Sequence, residues 1–190
     1  MLSMTRIIGG LAGSIKLNSP AKATRPTSDR IRESIFSRLD ARDLLEGTRV
    51  LDLYAGTGAL ALEAISRGAA VAWMVERDGK AAAVCVANAK LIQKELLKEE
   101  VEVETKIVNK AVASFLATND EEFNLVFIDP PYEINNDEVV ANLEELKLAK
   151  DAVIVIERSS RSDAPVWPAG FALEDTKDYG DTVVYWLNAI

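Results

Sequence analysis

From residue 48 onward, short apolar runs alternate with longer stretches whose apolar positions recur at three- and four-residue spacing. The runs 49–55, 71–76, 101–108, 123–128 and 152–157 predict strands. The intervening 59–67, 78–98, 111–117 and 137–147 are rich in Ala, Leu, Glu and Lys and predict helices. Near-continuous apolar strands alternating with helices are what a parallel sheet covered on both faces requires. The close of the chain differs: 171–177 and 182–188, joined through Asp178-Tyr-Gly-Asp181, predict an antiparallel hairpin.

The first fifty residues have another pattern. Arg6-Ile-Ile-Gly-Gly10 and Ser14-Ile-Lys-Leu17, linked through Gly13, suggest a small ribbon. Arg25-Pro-Thr-Ser-Asp29 interrupts the chain and leads into a helix through about Leu39, with Thr27 or Ser28 as its cap. Projected at ~100° per residue, Ile31, Ile35, Phe36 and Leu39 share one arc, and Arg32 falls inside it. A guanidinium there either pairs with a carboxylate of the body or faces a functional groove. The expected division is an extension, 1–47, and a body, 48–190.

Charge sharpens that division. The 190 residues carry 22 Lys/Arg against 30 Asp/Glu, a net charge of −8 that does not suit a general nucleic-acid binder. Residues 1–49 nevertheless hold nine Lys/Arg and five Asp/Glu, leaving thirteen against twenty-five for the rest. A basic front precedes an acidic body. With no histidine and one cysteine, Cys85, the chain lacks the means for a histidine-assisted nucleophile, an internal disulfide or a tetrahedral zinc cluster. No metal is expected. The first ten residues lack a charged region followed by an apolar core, and no apolar run is long enough to span a bilayer; a cytoplasmic setting without membrane contact is expected.

Three motifs carry chemistry. Asp52-Leu-Tyr-Ala-Gly56-Thr-Gly58 falls where the first body strand turns into a helix, and its glycines let the backbone approach a ligand closely. The alternative is a merely tight turn. Asp52, four residues before Gly56, can face an ammonium, which S-adenosylmethionine has and a nicotinamide dinucleotide lacks. Glu76 ends the next strand, where an acid can accept from both hydroxyls of an adenosine ribose. Asp78 is equally explained as a helix cap.

Asp129-Pro-Pro-Tyr132, after the fourth body strand, is the most specific signal. Two prolines remove two donors, so carbonyls there point outward without competing N–H groups. Asp129 and the Pro130 carbonyl can accept the two hydrogens of an exocyclic nucleobase amine, while Tyr132 stacks on the base. Acceptors that pull such an amine toward a tetrahedral geometry localise its lone pair and aim it at a methyl donor. Neither histidine nor cysteine is needed. Carbon methylation of pyrimidines commonly uses a cysteine, but Cys85 aligns with Ile92 and Leu96 on a predicted helix and reads as core.

With these residues placed, nearly the whole chain resembles the bacterial 16S rRNA guanine-N2 methyltransferase family of the RsmD type. The resemblance rests on Arg6-Ile-Ile-Gly-Gly10, Arg25-Pro-Thr-Ser-Asp-Arg-Ile-Arg-Glu33 with Phe36, Asp52 to Leu60, Val75-Glu-Arg-Asp78, Ser114-Phe-Leu116, Asp129-Pro-Pro-Tyr132 and Tyr179-Gly-Asp-Thr182. It implies an α/β, Rossmann-like class I S-adenosylmethionine-dependent methyltransferase fold, with a mostly parallel seven-stranded sheet, a C-terminal antiparallel hairpin and a small N-terminal ribbon-plus-helix extension. It implies catalysis by Asp129, Pro130, Pro131 and Tyr132, with S-adenosyl-L-methionine held by Asp52, Tyr54, Ala55, Gly56, Gly58, Glu76, Arg77, Asn109 and Asp129. The partner implied is 16S rRNA in the small ribosomal subunit or its assembly intermediate, gripped by Arg6, Lys16, Arg25, Arg30 and Arg32.

Two departures stand out. Ala12-Gly13-Ser14-Ile15 occupies the place of the family's usual Arg-Gly-Arg run, and Ala111 that of an acid or amide toward the adenine amino group, which Asn109 could replace. The alternatives to guanine are amino methylation of adenine N6 or cytosine N4 on RNA or DNA, or a non-catalytic cofactor-binding ribosome assembly factor. Removal of residues 1–24 is expected to cost RNA affinity while sparing cofactor binding.

Overall fold

The computed structural model describes residues 4–19 and 28–190. Its elements are α1 (Asp29–Ala41), β1 (Arg49–Leu53), α2 (Ala59–Ser66), β2 (Val71–Val75), α3 (Gly79–Leu97), β3 (Glu104–Val108), α4 (Val112–Leu116), β4 (Phe123–Ile128), α5 (Asn136–Glu145), β5 (Leu148–Ser159), β6 (Phe171–Asp178) and β7 (Thr182–Ala189). The seven strands form one sheet in the order β3-β2-β1-β4-β5-β7-β6. β1 to β5 are mutually parallel, and β7 runs antiparallel between β5 and β6. That is the α/β architecture expected from the chain, with the hairpin closing one edge.

Element boundaries moved where backbone groups were needed elsewhere. Residues 101–103 lie outside β3 because Val101 N–H turns back to the Leu96 carbonyl and, with Glu100 at φ 60°, closes α3. β5 begins four residues earlier than its apolar run, through a register shift against β4 between Phe123 and Leu125 and a positive φ at Asp151.

Alternation along the strands gives two apolar layers. One holds Val50, Leu125, Phe127, Val155 and Trp186 against α1, α2 and α3; the other holds Leu51, Val126, Ile128, Ile156 and Tyr185 against α4 and α5. α1 is capped by Ser28, whose hydroxyl accepts from Ile31 N–H, and it buries Ile31, Ile35, Phe36 and Leu39. Phe36 meets Phe127 of β4 with ring centres 5.6 Å apart.

The ribbon reduces to one antiparallel bridge, Arg6 to Lys16. It is pinned to α2: the fully buried Glu63 carboxylate accepts from Ile8 N–H and Gly9 N–H, and Ser66 Oγ accepts from Ala12 N–H while donating to the Gly9 carbonyl. A Cβ on Gly10 would sit 2.0 Å from the Ser66 carbonyl oxygen, so this approach demands glycine. Ile7, Ala12 and Leu17 belong to the α1-side core. Removing residues 1–24 would therefore take three core side chains with it, at roughly 1.5–3 kcal/mol for each large one, and would not spare the fold. The expectation of a loss in RNA affinity alone is corrected on that ground.

Candidate active site

The carboxyl ends of β1, β2 and β4 converge because these strands are adjacent and parallel, with Leu53 in register with Val75 on one side and Ile128 on the other. Each end carries one of the three motifs. Asp52 sits one residue before the end of β1 on the α1 side, where burial leaves it 1% exposed. Its Oδ2 accepts from Ala61 N–H at 3.2 Å, while its Oδ1 is buried without a hydrogen-bond partner. Burial pushes its carboxyl well above the ordinary range, the Ala61 N–H pulls the other way, and the neighbouring charges of Asp129 and Glu76 push further up. A buried, half-used carboxylate calls for a cation.

The turn after β1 is strained in a way that opens it. Tyr54 (φ 62°), Gly56 (φ 56°) and Gly58 (φ 82°) are all left-handed, and a Cβ on Gly56 would meet nothing within 4 Å. Gly58 is the opposite case: its Cβ would lie 2.8 Å from Cys85 Sγ and 3.0 Å from Met74 Sδ. Gly58→Ala should destabilise the fold by about 2–4 kcal/mol, combining the left-handed penalty with overpacking. Thermal unfolding should register this as a fall of roughly 5–15 °C; an unchanged melting temperature would contradict it. Cys85 is core, as read from its helical spacing, with its thiol pushed up in pKa by burial.

Glu76 ties the site together. One carboxylate oxygen accepts from Gly56 N–H at 2.9 Å and the other from Asp78 N–H at 3.0 Å, so each keeps a lone pair for a hydroxyl donor. Asp78 is the cap of α3, accepting from Ala81 N–H. Arg77 is exposed beside them. Asn109 donates to the carbonyls of both Glu76 and Arg77 at 2.9 Å, which holds this loop and leaves its Oδ1 as the atom able to accept from an amino group. Ala111 is the N-cap of α4 and makes no side-chain cap bond.

Asp129 follows the end of β4, one step beyond Phe127 on the α1 face. Asp129, Pro130 and Pro131 are half-buried, whereas Tyr132 is 78% exposed. Its ring is available for stacking. The turn is closed by Ile134 N–H donating to the Pro131 carbonyl.

Several supporting residues were not singled out from the sequence. Asn142 of α5 donates to Tyr54 Oη at 2.6 Å, and burial raises that phenol's pKa. Arg158 of β5 donates to the Ile134 carbonyl and to Asn136 Oδ1, gripping the chain just beyond Tyr132. Asn88 of α3 donates to the Thr57 carbonyl in the glycine turn. Their one legible signal is a polar residue at an apolar-periodic position.

Of the residues expected to meet RNA, Arg6, Lys16 and Arg30 are exposed, and Arg25 lies outside the described residues. Arg32 is corrected: it is 1% exposed, paired through Nη2 with Asp29 Oδ1 at 2.7 Å, and so is no part of an exposed phosphate-gripping edge. Its place inside the apolar arc of α1 is the reason. Among the described residues no group of three or more His, Cys, Asp or Glu side chains is placed to hold a metal, and no helix is long and apolar enough to cross a membrane.

The family described as conserved hypothetical protein 95 matches residues 5–188. The ribosomal RNA small subunit methyltransferase D of Escherichia coli K12 is 35% identical over 188 residues, covering 96% of this chain and 88% of that protein. The protein of the same name in Haemophilus influenzae is 33% identical, covering 92% and 89%. Among solved structures, the yhhF chain of Escherichia coli superposes with a TM-score of 0.80 at 30% identity, over 98% of both chains. The fold is that of class I methyltransferases, and the chain belongs to the conserved hypothetical protein 95 family, the RsmD-type rRNA methyltransferases.

Proposed function

We propose that this protein transfers a methyl group from S-adenosylmethionine to the exocyclic N2 amine of a guanine in 16S rRNA of the small ribosomal subunit. The observation that carries the reading is the buried, partnerless Oδ1 of Asp52 within electrostatic reach of Glu76 and Asp129, at three adjoining strand ends. These donors and acceptors suit S-adenosylmethionine. Asp52 would face its ammonium, Glu76 its ribose hydroxyls and Asn109 Oδ1 its adenine amine, with the backbone at Tyr54, Ala55, Gly56 and Gly58 lining the approach. When bound, it supplies an electrophilic methyl group on a sulfonium.

The chain's own residues act on the amine. Asp129 and the Pro130 carbonyl accept its two N–H groups, draw it out of conjugation with the ring and hold its lone pair in one direction. Pro131 keeps competing donors out of the turn, and Tyr132 stacks on the base, worth about 1–3 kcal/mol by the usual measure. The methylated nitrogen is strongly acidic, and its proton leaves to Asp129 or to water.

The N-terminal extension, 1–47, is the RNA-gripping part in this reading, and 48–190 the catalytic part. Arg6 and Lys16 are bridge partners and both exposed, with Arg6 Nε 3.7 Å from Asp29 Oδ2. Reversing Arg6, Lys16 and Arg30 together to Glu should weaken subunit binding at low salt. It should also flatten the salt dependence of binding by about one logarithmic unit for each phosphate no longer neutralised. Cofactor affinity should stay put; an unchanged salt slope would remove these residues from the RNA surface.

The deciding experiment incubates the protein with methyl-labelled S-adenosylmethionine and small subunits from a strain lacking the modification, then identifies the product nucleoside by mass spectrometry. N2-methylguanosine is expected. N6-methyladenosine or N4-methylcytidine as sole product would overturn the guanine assignment, and cofactor binding without transfer would favour an assembly factor.

A further inference from the structure

A second carboxylate shares the layer of Asp129. On β5, Val153 and Val155 belong to the same apolar layer as Leu125 and Phe127 of β4, while Ile154 and Ile156 belong to the other. The parallel register pairs Phe127 with Val155 and Ile128 with Ile156. Continued one residue beyond the end of β4, that register would set Glu157 beside Asp129 on the same face, a strand spacing of about 4.8 Å away. It is 5% exposed and follows five buried apolar residues.

A buried cation reaches the same layer. α1 descends from the carboxyl edge of the sheet, because Ser34 meets Tyr179 in the β6–β7 turn while Arg38 and Arg42 meet Asp175 and Glu174 further down β6. Phe36 packs on Phe127, and Arg32 lies one helical turn nearer the carboxyl edge of the sheet, where its Nη2 meets Asp29 Oδ1. Its Nε and Nη1 are buried without an acceptor. Unspent buried donors toward the same edge of the sheet as these carboxylates suit a ligand that offers both acceptor and donor groups.

We propose that Glu157 accepts the ring N1–H of the target base, next to the amine held by Asp129 and the Pro130 carbonyl, and thereby selects guanine. This deepens the reading given above and rests on its placement of an exocyclic amine at Asp129. On the base-pairing edge of guanine the ring nitrogen beside the amine carries a hydrogen. The corresponding nitrogen of adenine (N1) or cytosine (N3) carries a lone pair. In its ionised form the Glu157 carboxylate only accepts, so in that form it bonds the first and repels the other two. The Asp-Pro-Pro-Tyr turn by itself recognises an amine; Glu157 makes it recognise a purine lactam.

The test uses the full chain, wild type and Glu157→Gln, on rRNA whose mapped target guanine is either retained or replaced by 2-aminopurine. That analogue keeps the 2-amino group but has a lone pair at N1. Single-turnover methyl transfer should fall about 10- to 100-fold on guanine in the variant. On 2-aminopurine it should hold or rise, because the Gln amide N–H₂ can donate to N1. The ratio between the two substrates should therefore collapse, with cofactor affinity measured by calorimetry unchanged. An equal loss on both substrates would mean a structural role and overturn the proposal, as would full activity on guanine. Failure of the underlying reading is seen separately, as a wild-type product other than N2-methylguanosine.

Discussion

Asp129→Ala is expected to lower methyl transfer by roughly 10³-fold while leaving S-adenosylmethionine affinity within severalfold of wild type. An aromatic amine is a poor nucleophile because its lone pair is spread into the ring, and in the proposed mechanism the leverage is the pair of acceptors that would draw the nitrogen out of plane. Asp129 is the charged one of that pair. Hydrogen bonds to a charged group are worth about 1.5–3 kcal/mol, and the geometry they impose multiplies that effect in the transition state. Asp129→Asn keeps one acceptor oxygen, so it should retain more activity than the alanine variant, at a loss of about 10–10². Cofactor binding is separable because the residues expected to hold the ammonium and ribose, Asp52 and Glu76, stand on β1 and at the end of β2. Single-turnover transfer and equilibrium binding, measured on the same preparations, check both halves. An alanine variant with wild-type turnover would exclude Asp129 from the chemistry.

Much of this arrangement was legible in the residues, and the exceptions have physical causes. Parallel strands buried on both faces leave continuous apolar runs, so β1, β2 and β4 could be placed to within a residue or two. Their ends carry the motifs, and adjacency in the sheet brings Asp52, Glu76 and Asp129 together. What pattern could not show is which polar side chain is consumed by the fold. Glu63 interrupts an apolar helix, and only the structure shows its carboxylate spent on Ile8, Gly9 and Arg67. Arg32 could be set inside the apolar arc of α1, but the choice between interior and RNA contact needed the packing of α1 on β4. Glu157 reads as an ordinary strand terminus until the β4–β5 register, continued one residue past Ile128 and Ile156, brings it toward Asp129.

Asp52→Asn should separate cofactor binding from stability in opposite directions. In the wild-type fold burial raises the Asp52 pKa above its unfolded value, so between those two values the native state holds more protons than the unfolded state. Stability therefore falls as pH rises through that interval, from about 4 upward, and above the raised pKa the fold carries the full penalty of a buried charge. Asparagine removes that penalty and can still accept from Ala61 N–H. The cofactor-free variant should thus melt higher than wild type at pH 8, with the gap closing toward pH 4. Cofactor affinity should move the other way. An ammonium loses its buried carboxylate partner and meets an amide N–H₂ that repels it, a loss of about 2–5 kcal/mol, or roughly 30- to 5000-fold in Kd. Wild-type affinity should itself strengthen with rising pH as Asp52 ionises, and the variant should lack that slope. Calorimetry across pH 5–8 with parallel melting curves tests both. If the variant binds S-adenosylmethionine as tightly as wild type, Asp52 does not face the ammonium; if the two cofactor-free proteins show the same pH dependence of melting, its carboxyl is not the strained group in the fold.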